Sequence, residues 1–323
     1  LLLVSSCLLT GCTTSSAKKV DSKYVVASLE KGNKTKNIFA DNLYKDIIDN
    51  SSNNSTVFNA VLQNLVDQKF PVNDDMKEDA ATIIKQIKSA YKSNYGDNYK
   101  DSLNQALTSA GYKNLSEYRQ RMIKQIQYAN FLLDYIDDHF DDVFNDYYQQ
   151  CAPKYVSLIK ISVSDTSSPT DDETSKLNEV KELISNTDKS FGDIAQDYSD
   201  DSTSSKKGSL GIVDSKDTSG IANSYGKDVF NAIEALSEGQ VSDVITGDNG
   251  YYFVKVTSTD KKTLKKELKK TDIDSPLLAY DDYLQYVVYN SYKINYKDKD
   301  IKKIVQEVVN KALEERKTER GEA

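Results

Sequence analysis

Phe191-Gly-Asp-Ile-Ala-Gln-Asp-Tyr-Ser-Asp-Asp201 and Lys207-Gly-Ser-Leu-Gly211 open the stretch that decides the fold. Ala235-Leu-Ser-Glu-Gly-Gln-Val-Ser242 and Gly250-Tyr-Tyr-Phe-Val-Lys-Val256 complete it. Upstream, Pro153 interrupts a helical pattern, and Val156, Leu158 and Ile159 begin a β-rich, glycine-punctuated region. From Tyr155 to Thr257 the order reads strand, two helices, a Ser-Asp-Asp loop, a glycine turn, a third helix and two closing strands. A domain boundary is therefore expected near Cys151.

Working outward, residues 23–150 read as helical. Phe58, Val61, Leu62, Leu65 and Val66 form one apolar stripe at helical spacing. Met76, Ala80, Ile83, Ile84, Ile87 and Tyr91 form a second, with Asn73 or Asp74 placed to cap it. Asn114 and Glu117 make a capping-box-like start to a third, running through Tyr118, Met122, Ile123, Ile126, Ala129, Leu133 and Ile136. The helical period returns after Asp260. Ile301, Ile304, Val305, Val308, Val309 and Ala312 keep it, with Asp300 as expected N-cap and fraying expected from Glu314. Neither helical end looks sufficient for a closed core. The simplest arrangement packs the two ends together with the β-containing domain inserted between them.

At the N-terminus, Leu9-Thr-Gly-Cys12 looks like a bacterial lipobox. Small residues at 10 and 11 would let a membrane peptidase cleave before Cys12, whose thiol would carry a diacylglyceryl group. Two acyl chains anchor stably where one is marginal. Residues 1–11 are then a signal peptide, and its charged start is expected upstream of Leu1. Thr13 to Ser22, rich in Ser, Thr and Lys, reads as a flexible tether. Cleavage would leave Cys12 and Cys151, with no disulfide between them, as suits an exported protein that does not rely on disulfide staples. A net charge of -8 argues against nucleic acid as a partner. Tyr is abundant (22) and Trp absent, so tyrosine carries much of the burial and suits surfaces that touch polypeptides. Zinc spacing, phosphate loops and nucleophile elbows are absent from the sequence, so neither metal nor cofactor is expected. Asp137, Asp138, Asp141 and Asp142 read as a solvated acidic helix face, lacking the Gly and terminal Glu of a calcium loop. The lysine run at 261, 262, 265, 266, 269 and 270 reads as an exposed helix face, with anionic lipid or wall polymer as the sharper reading. His139, the only histidine, is expected on a helix surface.

The landmarks between Tyr155 and Thr257 resemble, in order and spacing, the parvulin type of peptidyl-prolyl cis-trans isomerase domain. With the lipobox and the flanking helices, the whole chain resembles the PrsA family of extracytoplasmic foldase lipoproteins, related to the SurA chaperones. The resemblance implies an α+β fold: a β-α-α-β-α-β-β domain inserted in a mostly helical chaperone domain built from both ends. Expected boundaries are signal peptide 1–11, lipidated Cys and tether 12–22, N-terminal helical domain 23–150, parvulin-like domain 151–260 and C-terminal helices 261–323.

Parvulins carry one histidine on the first strand, another on the last, and a Cys or Asp after the second helix. The alignment implied by the resemblance puts Lys160, Tyr252 and Asp201 at these positions, so both histidines are replaced. Asp201 could offset the charge of Lys160, and Tyr252 can still donate a hydrogen bond. Tyr225, Phe230 (or Val229, one residue away in register) and Leu236 would form the proline socket, with Asn249 near a polar pocket position. The implied role is to assist folding of exported polypeptides at the outer face of the cytoplasmic membrane of a Gram-positive cell, anchored in the bilayer through Cys12. Self-association into a homodimer is left open. Two functions stand side by side: a foldase whose isomerase domain retains weak activity, and a purely non-catalytic holdase with a degenerate parvulin domain.

Overall fold

The computed structural model describes residues 19–31, 34–269 and 272–322. The signal peptide, Cys12 and the start of the tether lie outside these. The chain opens with β1 (Lys19–Val20), β2 (Lys23–Lys31) and β3 (Lys34–Phe39), an antiparallel sheet in the order β1-β2-β3. Five helices follow: α1 (Ala40–Asp49), α2 (Asn54–Lys69), α3 (Asp74–Tyr95), α4 (Tyr99–Ser109) and α5 (Leu115–Asp138). Next come α6 (Phe140–Cys151), β4 (Lys154–Ser162), α7 (Asp171–Asn186), α8 (Phe191–Tyr198) and β5 (Ser209–Val213). Then α9 (Ile221–Tyr225), α10 (Lys227–Ala235), β6 (Ile245–Gly247), β7 (Gly250–Ser258) and α11 (Lys261–Leu268) lead to α12 (Leu284–Ser291) and α13 (Lys299–Glu319). The chain forms two compact units: one holds the described residues up to Asp134 together with those from Tyr283 on, the other spans Tyr135–Asp282.

In the first unit the helices follow the apolar stripes. Phe58, Leu62 and Val66 of α2 are buried, as are Met76, Ala80 and Ile84 of α3 and Met122, Ile123 and Ile126 of α5. Asn73 caps α3, accepting from the Met76 N–H at 2.9 Å. Asn114 accepts from the Glu117 N–H at 2.9 Å, while the Glu117 carboxylate accepts from Lys113 N–H at 2.7 Å, one residue before its expected partner. The C-terminal α13 packs on α2 and buries Ile304, Val305, Val309 and Ala312.

Three expectations are corrected here. Residues 23–31 and 34–39 are strands, not helix: Tyr24 is aromatic and Val25 and Val26 are β-branched, and β2 pairs antiparallel with β3, Lys31 lying opposite Lys34. The N-cap of α13 is Asp298, not Asp300: its carboxylate accepts from the backbone N–H groups of Asp300 and Ile301 at 2.8 and 3.1 Å. The final helix continues through Glu314 to Glu319, with Lys317 paired to Glu314 at 3.0 Å.

The second unit is built on an antiparallel sheet in the order β5-β4-β7-β6. Side chains alternate across it. Ile159, Ile161 and Phe253 pack with Leu177 and Val180 of α7 and Phe191, Ile194 and Ala195 of α8. Val156, Leu158, Tyr252 and Val254 face the other way, against Ile221 of α9 and Val229 and Ile233 of α10. A capping box starts α7, with the Glu173 N–H donating to Thr170 Oγ1 at 3.2 Å and the Thr170 N–H to Glu173 at 2.7 Å. Gly208, at φ +74°, passes so close to β4 that an added Cβ would lie 2.4 Å from the Leu158 carbonyl oxygen. The unit extends beyond the expected 151–260 on both sides. Val143, Phe144 and Tyr147 of α6 and Leu264 and Leu268 of α11 are buried in it.

Candidate functional site

Antiparallel pairing sets the first two candidate side chains opposite each other: Lys160 on β4 pairs with Tyr252 on β7. Both therefore project to the face covered by α9 and α10. The Lys160 ammonium lies 5.8 Å from the centroid of the Tyr252 ring, a cation-π geometry. Tyr252 is only 3% exposed and forms the floor of the face. Its hydroxyl donates to Asn249 Oδ1 at 2.6 Å, in the turn between β6 and β7. Burial raises the Tyr252 pKa, assisted by the negative charges of Asp201 and Asp248, so the phenol stays protonated.

Asp201 reaches the same place from the loop after α8. Its Oδ1 accepts from the Thr203 N–H at 2.9 Å and, over a long 3.4 Å, from the Tyr225 hydroxyl. The Tyr225 ring meets Tyr252 edge-on at 6.2 Å. Burial first, then Asp201, pushes the Tyr225 pKa up to about 12. Phe230 and Leu236 are half-buried and pack beside Tyr225 against the core of this face, whereas Val229 is inside it at 1% exposure. Phe230 thus takes the rim and Val229 the core of this face.

Lys160, Tyr225 and Asn249 each meet Tyr252, Asp201 reaches Tyr225, and Phe230 and Leu236 pack on the same core face. One expected interaction is absent: Lys160 and Asp201 form no ion pair. The adjacent carboxylate of Asp200 is the one that binds a lysine, Lys176, at 2.6 Å. Asp200 also accepts from the Ser162 N–H at 2.8 Å, and its own N–H donates to the Lys160 carbonyl at 2.8 Å. Ser199 Oγ accepts from the Lys160 N–H at 3.0 Å. The Ser-Asp-Asp loop is therefore sewn to the strand that carries Lys160. Its hydrogen bonds leave the Lys160 ammonium without a carboxylate partner among the described residues.

Sequence reasoning missed the groups that hold the socket. Lys154, at the start of β4, donates from Nζ to the carbonyls of Ile233, Glu234 and Leu236 at 3.0, 2.6 and 3.1 Å. It ties down the C-terminal end of α10, the helix that carries Phe230. Asp214, fully buried, accepts from Tyr147 Oη at 2.8 Å and from the Thr218 hydroxyl. Asp217 accepts from the Ile221 and Ala222 N–H groups at 2.6 and 3.0 Å, fixing the start of α9. His139 is exposed at the start of α6, stacked on Tyr135 at 4.1 Å. Asp141 pairs with Lys265 at 2.8 Å.

Residues 158–258 match the family model described as Rotamase, PPIC-type PPIASE domain, so this segment is a parvulin-class domain. The chain is 32% identical over 141 residues to the protein called Foldase protein PrsA in Staphylococcus epidermidis RP62A. The match covers 42% of this chain and 41% of that relative. The Staphylococcus aureus RF122 protein of the same name is also 32% identical over 141 residues, with the same coverage. Among solved structures, PrsA from Bacillus subtilis is 22% identical with a TM-score of 0.40, covering 88% of this chain and 98% of that one.

Proposed function

We propose that the protein is a lipid-anchored foldase that receives exported polypeptides outside the cytoplasmic membrane and binds their prolyl segments in the groove around Tyr252. The observation that carries this reading is the convergence of Lys160, Asp201, Tyr225, Phe230 and Asn249 around Tyr252 within a parvulin-class domain. The names of the Staphylococcus relatives point the same way.

An X-Pro amide crosses a barrier of about 18–20 kcal/mol because twisting it removes resonance. A protein accelerates the step by binding the twisted amide better than either planar form. No cofactor and no covalent bond are needed. In this reading Tyr225, Phe230 and Leu236 take the proline ring. Lys160, whose ammonium has no carboxylate to satisfy, meets the carbonyl oxygen as it leaves conjugation. Asp201 orients Tyr225.

A second reading, a holdase without catalysis, is favoured by one feature: the only Tyr252 proton is already given to Asn249 at 2.6 Å. Refolding of a proline-limited protein separates the two. A foldase at one-twentieth of the client concentration speeds the slow phase, and Asp201→Ala and Lys160→Met reduce that effect several-fold. A holdase leaves the slow phase untouched at any ratio and suppresses aggregation only near stoichiometry. If neither effect appears, the function is not a folding one. Localisation is read separately, from a diacylglyceryl group on Cys12 by mass spectrometry.

A further inference from the structure

Large apolar side chains that stay strongly exposed are concentrated in one short segment. Val20, Tyr24, Val26, Ile38, Leu43, Tyr44 and Ile47 are 39–47% exposed, and among the described residues only Tyr95 joins them from elsewhere. Scattered exposed apolar residues need no explanation, but a cluster does.

Strand register sorts the sheet residues onto faces, and Val20, opposite Lys23, falls on the face of Val25. Val25 opposes Phe39 and, after a bulge, Ala27 opposes Ile38. Paired residues share a face and successive residues alternate, with both residues of a bulge near the same side. Val25 and Phe39 share one face and are half-buried; α1 touches both of their strands. Tyr24, Val26 and Ile38 share the opposite face and are 45, 44 and 43% exposed. Lys19 opposes Tyr24 and holds its ammonium 4.6 Å from the ring centroid. Lys36, two residues from Ile38, projects to the same side and is exposed.

We propose that this face of the β1-β2-β3 sheet lies on an anionic lipid bilayer. The inference rests on the reading of Cys12 as the lipid attachment point. Six residues separate Cys12 from Lys19, so covalent geometry keeps the start of the sheet within about 25 Å of the anchor. The chemistry of the face suits that location. Tyrosine favours the headgroup level; Val26 and Ile38 offer a shallow apolar contact; and each lysine near an anionic surface gains roughly fivefold in partitioning. A second copy of the chain is a poorer occupant, because a two-fold contact through this face would crowd Lys19 and Lys36 against their own equivalents.

The test uses the unlipidated chain from Thr13 to Ala323, which retains every described residue. Tyr24→Trp gives this tryptophan-free sequence a single emitter on the face. With vesicles of equal parts phosphatidylglycerol and phosphatidylcholine, Trp emission shifts to the blue. The shift is absent with phosphatidylcholine alone and reversed by high salt. Lys19→Glu with Lys36→Glu weakens binding by at least about 30-fold. The same chain carrying Tyr95→Trp in place of Tyr24→Trp shows no shift. A silent Trp at position 24, equal shifts at both positions, or indifference to the lysine changes overturns the proposal. A shift produced by soluble wall polymer and not by vesicles overturns it too. Because this chain lacks Cys12, these outcomes do not depend on lipidation; an unmodified Cys12 in cells would instead sink the anchor reading.

Discussion

Lys160 and Tyr252 face each other in the groove with no histidine beside them. Burial raises the Tyr252 pKa above the ordinary phenol value, so this phenol stays protonated through the physiological range. His139, the sole histidine, sits at the N-cap of α6, away from the groove residues. Any proline-phase acceleration should therefore be flat from about pH 6 to 8.5, where imidazole would produce an inflection. A clear rise or fall centred in the histidine range, in refolding rates corrected for the client's own pH dependence, would contradict the assignment of these residues to the groove. Tyr225 gives a signed prediction at higher pH. Its folded pKa is raised from 10.0 to about 12, so the stability it contributes is fully present below about pH 10 and lost as pH rises through 12. Wild type should lose stability relative to Tyr225→Phe across that window and not below it, as read by urea midpoints at each pH. An equal difference at all pH values would mean that burial of the phenol is not what shifts it.

At the scale of elements, the position of α10 decides whether the socket exists. Three carbonyls at its C-terminal end converge on the Lys154 ammonium. Hydrogen bonds to a charged group are worth about 1.5–3 kcal/mol in favourable settings. Lys154→Met keeps the stem and removes the donors. It should cost roughly 2 kcal/mol and speed amide exchange in α10 more than in α7 or α8; uniform loss of protection would mean a global effect instead. This clamp was not legible in sequence, because Lys154 lies far along the chain from the carbonyls it meets. The helices and the strands of the parvulin-class domain were legible for the opposite reason: period, caps and glycine breaks are local. The pocket residues were legible only through resemblance, since the Lys160–Tyr252 pairing depends on strand register across a long separation. The N-terminal strands were missed although the signals were present. Tyr24, Val25 and Val26 favour strand, and the Gly32-Asn33 pair separates two candidate strands. The long helical stripes downstream outweighed them. Asp300 was a reasonable cap by type, yet Asp298 alone sits far enough ahead of the helix to reach its first N–H groups.

On the scale of the whole molecule, the chain leaves its first unit at Asp134 and returns to it at Tyr283. The return is substantial. Phe58 of α2 packs its ring at 5.0 Å from Tyr286 and 5.1 Å from Tyr289 on α12. Phe131 stacks on Tyr292 at 5.7 Å, and Tyr44 of α1 donates to Asp298 at 2.6 Å. Beyond these, α13 buries Ile304, Val305 and Val309. Burying three such side chains stabilises by roughly 5–9 kcal/mol, which approaches the entire stability of an ordinary domain at about 5–15 kcal/mol. A chain ending at Asp282 should therefore lose the cooperative unfolding of the helical unit, since α2 would expose Phe58 and its neighbours to water. The Tyr135–Asp282 unit retains its sheet, both layers of helices and the Lys154 clamp, so its transition should persist. Calorimetry of the full chain and the shortened one distinguishes the outcomes. One transition lost and one kept is expected. Two intact transitions would show that the N-terminal helices form a core unaided, and the account of an inserted domain closed by the C-terminal helices would fail.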